Sequence, residues 1–183
     1  MSAPAAARAL PPRLIQGPPG FAPVVGRLAS MLGHVRSTTL RLVRNLSTEQ
    51  LDHVHDGRSN SIGALLAHLV AMELRTQTFT FEGRGLNEEE DALWGAGLAL
   101  WDRARHEMRG NPASFYTDAL EEVRARTLRE LAARDDAWLD EVIAFSEGVD
   151  VSNHYLWFHL AEDEASHRGQ VVWLLIRLLD VPP

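Results

Sequence analysis

No cysteine occurs among the 183 residues. Disulfide staples, thiolate metal sites and a protein-borne sulfur nucleophile are therefore excluded, and any thiol chemistry must take its sulfur from a small molecule. Long hydrophobic runs are missing as well. No stretch approaches the roughly 18 apolar residues that span a bilayer, so a cytoplasmic protein that does not bind membranes is expected. Positive charge is scarce, with 18 Lys and Arg against 25 Asp and Glu for a net charge of −7. That balance disfavours nucleic-acid partners and anionic membrane surfaces, which need a concentrated positive field. Period-two alternation, the mark of half-buried strands, is almost absent.

What is there suffices for one core. The chain is 45% hydrophobic and 23% charged, a globular composition at the length of a single domain. In residues 1–20, MSAPAAARALPPRLIQGPPG, proline interrupts every apolar run before signal-peptide length. They read as a flexible Pro/Ala-rich tail, and residues 21–183 as one domain.

Four long segments carry helical periodicity, which makes the class all-α. The first runs from about Val24 to Asn45 with Val25, Leu28, Leu32, Val35 and Leu42 on one stripe, and the STEQ that follows has capping-box spacing. The second starts near Ser61, with Asn60 or Ser61 as N-cap, carries Ile62, Leu65, Leu66, Leu69 and Met72, and fades by TQTFTFEGRG. Residues 85–111 read as a long connection holding a short helix. The third runs from Pro112 or Ala113 to Arg134, and DDAWLDEVIAF adds a short helix or turn around Trp138. The fourth, capped near Ser152 or Asn153, runs to about Leu179, where the terminal prolines stop it.

The fourth segment holds an anomaly. Leu156, Leu160, Asp163, His167, Val171, Leu174 and Leu178 follow four-three spacing and define a core-facing stripe, yet two of them are polar. A buried carboxylate costs several kcal/mol unless it is paired or coordinated. Three compensators are open: an arginine from the second helix, with Arg75 the nearest by pattern; a local Asp163–His167 contact at i,i+4; or a divalent metal that uses both side chains. A metal needs a third ligand, and His68, on the flank of the second helix's stripe, is placed to supply it. His159, one turn before Asp163, is either a fourth ligand, an orienting partner or an edge residue, and Gln170 is either an orienting partner or solvated.

At these residues the chain resembles the DinB-like, or YfiT-like, family of metal-dependent proteins. The resemblance rests on NSIGALLAHLVAMELR at 60–75 and WFHLAEDEASHRGQVVWLLIRLL at 157–179, and covers roughly residues 24–180. It implies a four-helix bundle with a long crossover, a homodimer, and a divalent metal held by His68, Asp163 and His167. Histidine is commonest in the family at the middle position, where this chain has Asp163. Zinc or nickel is expected ahead of iron or manganese. Some relatives are transferases or isomerases that use a low-molecular-weight thiol such as mycothiol or bacillithiol, which suits a chain without cysteine.

The resulting expectation is a metal-dependent enzyme acting on a small-molecule substrate, with such a thiol bound at the metal. The alternative is a non-catalytic, metal- or small-molecule-binding dimeric bundle. Glu73 and Glu164 are available as bases, although Glu164 points away from the seam. His53 and His55 read as exposed residues of the first interhelical connection, and NEEEDA at 87–92 as a solvated helix start. The tryptophans read as packing anchors, with Trp157 and Trp173 bordering the seam.

Overall fold

Each apolar stripe becomes a helix in the computed structural model, which describes residues 14–146 and 148–179. In chain order, α1 (Pro23–Val43) and the short α2 (Thr48–Asp52) lead to α3 (Ile62–Glu82). The crossover contains α4 (Glu88–Ala99) and α5 (Trp101–Glu107). Then come α6 (Ala113–Ala132), the short α7 (Asp136–Asp140), strands β1 (Val142–Ser146) and β2 (Val149–Ser152), and α8 (Asn153–Leu179). Among the described residues the fold is all-α apart from this one antiparallel hairpin, whose register sets Val142 against Ser152 and Ile143 against Val151.

Local chemistry explains where the helices begin. Ser61 accepts the Ala64 N–H at 3.1 Å, and Ser47 with Gln50, and Asn87 with Glu90, close reciprocal capping boxes. Helix α1 starts with Pro23 and has no cap of its own. Its free Val24 and Val25 N–H groups are instead received by the Asp136 carboxylate of α7, at 2.9 and 3.1 Å. Of the expected tail, residues 1–13 lie outside the described residues. Residues 14–20 are exposed, and the Gln16 carbonyl accepts a hydrogen bond from Ser30 of α1. The terminal prolines also lie outside the described residues.

Three expectations are revised. Helix α3 does not fade at TQTFTF but continues to Glu82, because Thr76, Gln77 and Thr78 are buried and tertiary packing overrides their modest helix propensity. The 85–111 connection holds two helices rather than one. They are separated by a corner at which Leu100 and Trp101 both take positive φ, 50° and 51°, while Asn60 accepts the Trp101 N–H at 2.8 Å. Finally, the short helix expected around Trp138 forms as α7, but the residues that follow it enter strand β1.

Helix α1 packs on α6 and α8, and α3 packs on α6 and α8 from the other side, which closes a four-helix ring. Glycine 63 meets Tyr116, Glu73 meets Arg124 and Gln77 meets Thr127, so α3 and α6 run parallel. A parallel pair obliges the chain to travel back along helices of about 30 Å, and α4 and α5 lie on that return path, with α4 packed on α3.

The core has two apolar halves with a charged layer between them. One half gathers Leu40, Val43, Leu65, Leu69, Tyr116, Leu120, Val171 and Leu174; the other gathers Val25, Leu28, Leu32, Leu131, Leu139, Trp157 and Leu160. Between them each bundle helix contributes one buried charge: Arg36, Glu73, Arg124 and Glu164. Arg36 Nε donates to Glu164 Oε1 at 2.9 Å, and its Nη2 to Glu73 Oε2 at 2.8 Å. Arg124 Nε donates to Glu73 Oε1 at 2.6 Å, and its Nη2 to Glu164 Oε2 at 3.2 Å. The two guanidinium groups also donate to the main-chain carbonyls of Leu120 and Leu32. The square is neutral and richly hydrogen-bonded, the condition under which buried ions are tolerated.

Candidate metal centre

His68 sits on the face of α3 that looks toward α8 and the crossover, and it is 7% exposed. Its Nδ1 lies 3.0 Å from the Gly97 carbonyl oxygen. A carbonyl can only accept, so Nδ1 carries the proton there and, in the neutral ring, Nε2 keeps its lone pair. Glycine is required at position 97 because a methyl group there would stand 2.6 Å from the Ala67 carbonyl oxygen and 3.1 Å from the His68 nitrogen. Only a bare backbone lets α4 come close enough to orient the ring.

On α8, Asp163 and His167 are one turn apart and face His68. Asp163 Oδ2 is 3.3 Å from His68 Nε2, and Oδ1 is 3.3 Å from His167 Nε2. The two imidazoles meet edge to face with centroids 4.7 Å apart. One donor atom from each residue lies within 4.8 Å of the others. Burial pushes the Asp163 carboxyl up, but His167 and then His68 outweigh that and hold it well below the usual carboxylate range. It is ionised at neutral pH.

The polar ends are not fully satisfied by one another. Asp163 Oδ2 and His167 Nδ1 are buried without a hydrogen-bond partner, the 3.3 Å approach to Oδ2 lacking hydrogen-bond direction. A purely local Asp163–His167 pair therefore leaves buried acceptor capacity unused, which is costly. Two nitrogens and one carboxylate oxygen converging on one point fit a divalent cation, with positions left for water or substrate.

The other candidates fall elsewhere. The Nδ1 of His159 lies 3.3 Å from Glu162 Oε2 and its ring stacks on Tyr155, outside the group of three. Arg75 is not the partner of Asp163; it borders a neighbouring cavity. Glu164 does point away from the seam, but into the core, where both it and Glu73 are locked by arginines. Trp157 is fully buried against Phe81, whereas Trp173 is exposed beside the ring of His55. His55 is exposed as expected, but His53 is half-buried, with Nε2 unpartnered. Gln170 and Trp173 line a groove with Trp101 and Asn60.

The charged square and Gly97 were missed in the sequence. A signal for the square existed: Arg36 falls four residues after Leu32 and four before Leu40, and Glu164 four after Leu160, which are interior positions of their stripes. Gly97 had no such mark, because its role depends on a contact between helices far apart in sequence.

Beside the triad, one turn toward the C-terminal end of α3, opens a cavity of about 480 Å³ bordered by α3, the hairpin and the start of α8.

Among known families, the mycothiol-S-transferase family model matches residues 27–175, a span that takes in all three candidate ligands. That family falls within the DinB/YfiT-like group. No curated protein matches the chain. Among the described residues no helix is long and apolar enough to cross a membrane.

Proposed function

The chain belongs to the mycothiol-S-transferase family, and from that premise we propose that it is a divalent-metal-dependent transferase that moves the sulfur of a low-molecular-weight thiol, of the mycothiol kind, onto an electrophilic carbon. The observation that carries this reading is the convergence of His68 Nε2, the Asp163 carboxylate and His167 on one point, with Asp163 Oδ2 and His167 Nδ1 buried and left without a hydrogen-bond partner. A divalent ion held there supplies Lewis acidity that favours thiolate over thiol near neutral pH. Two nitrogens and one oxygen suit zinc or nickel ahead of iron or manganese.

The chain's own residues supply the rest. Gly97 fixes the His68 ring through its Nδ1–H, so that Nε2 is presented as a lone pair. Asp163, held ionised, adds a negative charge to the ligand set. In the transfer itself the thiol proton leaves to solvent and the sulfur lone pair forms the new S–C bond. The leaving group departs with the electron pair of the bond it breaks. Glu73 and Glu164 are not the base, because arginines hold both within the core. The homodimer implied by the family resemblance belongs to the same proposal and is measured by sedimentation.

The test uses untagged protein, mycothiol and chlorodinitrobenzene, a carbon electrophile with chloride as leaving group. Expected are a bound divalent ion by elemental analysis and S-aryl product formation, with chelation and His68→Ala or His167→Ala abolishing both. Protein without an ion, or turnover indifferent to chelation, would overturn the proposal. Retained ion without turnover of any thiol would favour the non-catalytic reading, a metal- or small-molecule-binding bundle, which the adjoining cavity also suits.

A further inference from the structure

The cavity beside the triad has a chemical character of its own. Met72 lies four residues beyond His68 on α3 and Leu160 three before Asp163 on α8, so the cavity begins about 4.5–6 Å along each helix axis from the triad. Both residues border it, together with Phe79 and Phe145, whose rings meet edge to face. The wall is apolar over most of its surface.

Two titratable side chains border this apolar space, Arg75 and His159, and the His159 ring is set against Glu162. Arg75 is half-buried, borders the cavity and makes no ion pair or side-chain hydrogen bond with any described residue. The other half-buried or buried arginines among the described residues are engaged: Arg36 and Arg124 in the square, Arg84 with Glu90, Arg105 with the Gly57 and Ser59 carbonyls, Arg126 with Glu82, Arg134 with Glu130, Arg168 with Thr38, and Arg177 over the Trp173 ring. An unpaired guanidinium at an apolar cavity is a ready fork for one planar, singly charged anion. A dianion such as phosphate would bring a second charge, and the wall's other titratable group, His159, is already set against the Glu162 carboxylate.

We propose that this cavity takes the electrophile of the transfer, an apolar carboxylate whose acid group pairs with Arg75 and whose reactive carbon lies at the far end, toward His68, Asp163 and His167. Its role as the acceptor subsite rests on the thiol-transfer reading above; its ability to bind such an acid does not. Arg75 stands seven residues beyond His68, about 10 Å along α3. That span suits a short aryl or alkyl body between the acid and the reacting carbon. Arg75 is thus a specificity-determining residue, set apart from the bond-making atoms.

The experiment is calorimetric titration of the full chain, treated with chelator and without thiol, with phenylbutyrate and with phenylbutanol, which keeps the body and removes the charge. The acid is expected to bind more tightly than the alcohol. Arg75→Gln is expected to weaken the acid by about tenfold, the effect of losing one charged hydrogen-bonding partner, and to leave the alcohol within about twofold. Arg75→Lys should restore part of the preference. Equal affinity for acid and alcohol, or an acid affinity untouched by Arg75→Gln, would overturn the proposal. So would acid binding that appears only when metal is restored, since the carboxylate would then sit on the ion. Because metal and thiol are both left out, failure of the transferase reading and failure of this one are separate results.

Discussion

The Nδ1 of His68 and the Gly97 carbonyl oxygen are 3.0 Å apart, and the same glycine is where a methyl group would strike the Ala67 carbonyl at 2.6 Å. The crossover is therefore more than a tether between α3 and α6, since it supplies the contact that fixes the His68 tautomer. Gly97→Ala should push α4 away from α3. The expected cost is about 1–3 kcal/mol of stability from overpacking, with metal affinity falling about 10–100-fold as the orienting partner retreats. Denaturant unfolding and zinc competition against a chelating dye measure the two effects. Unchanged affinity in a destabilised variant would show that the Gly97 contact does not tune the site.

His159 lies outside the cluster of three, paired with Glu162 and stacked on Tyr155. His159→Ala is therefore expected to keep the ion content of the wild-type chain, whereas Asp163→Ala loses it. Elemental analysis of the two proteins purified side by side decides the point, and loss of metal from the His159 variant would make that residue a ligand after all.

The charged square sets a stability prediction. Arg124→Met leaves Glu73 and Glu164 to share one guanidinium, and removing one member of a buried network typically costs about 3–5 kcal/mol. Replacing all four members, Arg36, Glu73, Arg124 and Glu164, by apolar residues of similar volume should recover most of that loss, because no uncompensated charge is left. Urea midpoints of the single and fourfold variants measure it; a single variant within about 1 kcal/mol of wild type would contradict the burial argument.

Acid sensitivity follows from the same place. Burial pushes the Glu73 carboxyl up, but Arg124 and then Arg36 outweigh it and bring it from the ordinary 4.5 down to about 2. Its folded-state value is thus depressed. The stability it contributes is fully present above the unfolded value of about 4.5 and is lost as pH falls through about 2, since the unfolded chain takes up the proton first. Unfolding free energy should therefore drop between these pH values, and the drop should be shallower in Glu73→Gln. Parallel pH profiles for the two proteins would remove Glu73 as the source.

Much of this was legible in the sequence, and the reasons for the gaps are physical. The bundle helices were readable because one face of each carries an apolar stripe, and Asp163 and His167 stood out because they interrupt the stripe of α8. The square escaped notice because Arg36, Arg124, Glu73 and Glu164 are residue types that usually sit in water, and only their joint arrangement makes burial tolerable. Helix α3 outran its expected end because Thr76, Gln77 and Thr78 gain partners from the core, Gln77 donating to the Val123 carbonyl and Thr127. The hairpin was missed because its strands are short and carry exposed apolar residues, Val142, Phe145 and Val149, on little alternation.

A layer of four interlocked charges has one more effect, on how finely the jaws of the site are held. Sliding α3 past α8 by a single turn, about 5.4 Å, would strand carboxylates and guanidinium groups among leucines, so no neighbouring alignment competes with the one observed. Mutations that recut the cavity wall can then accumulate while His68 and His167 keep their positions. The rigid middle of the molecule is what leaves its edge free to change.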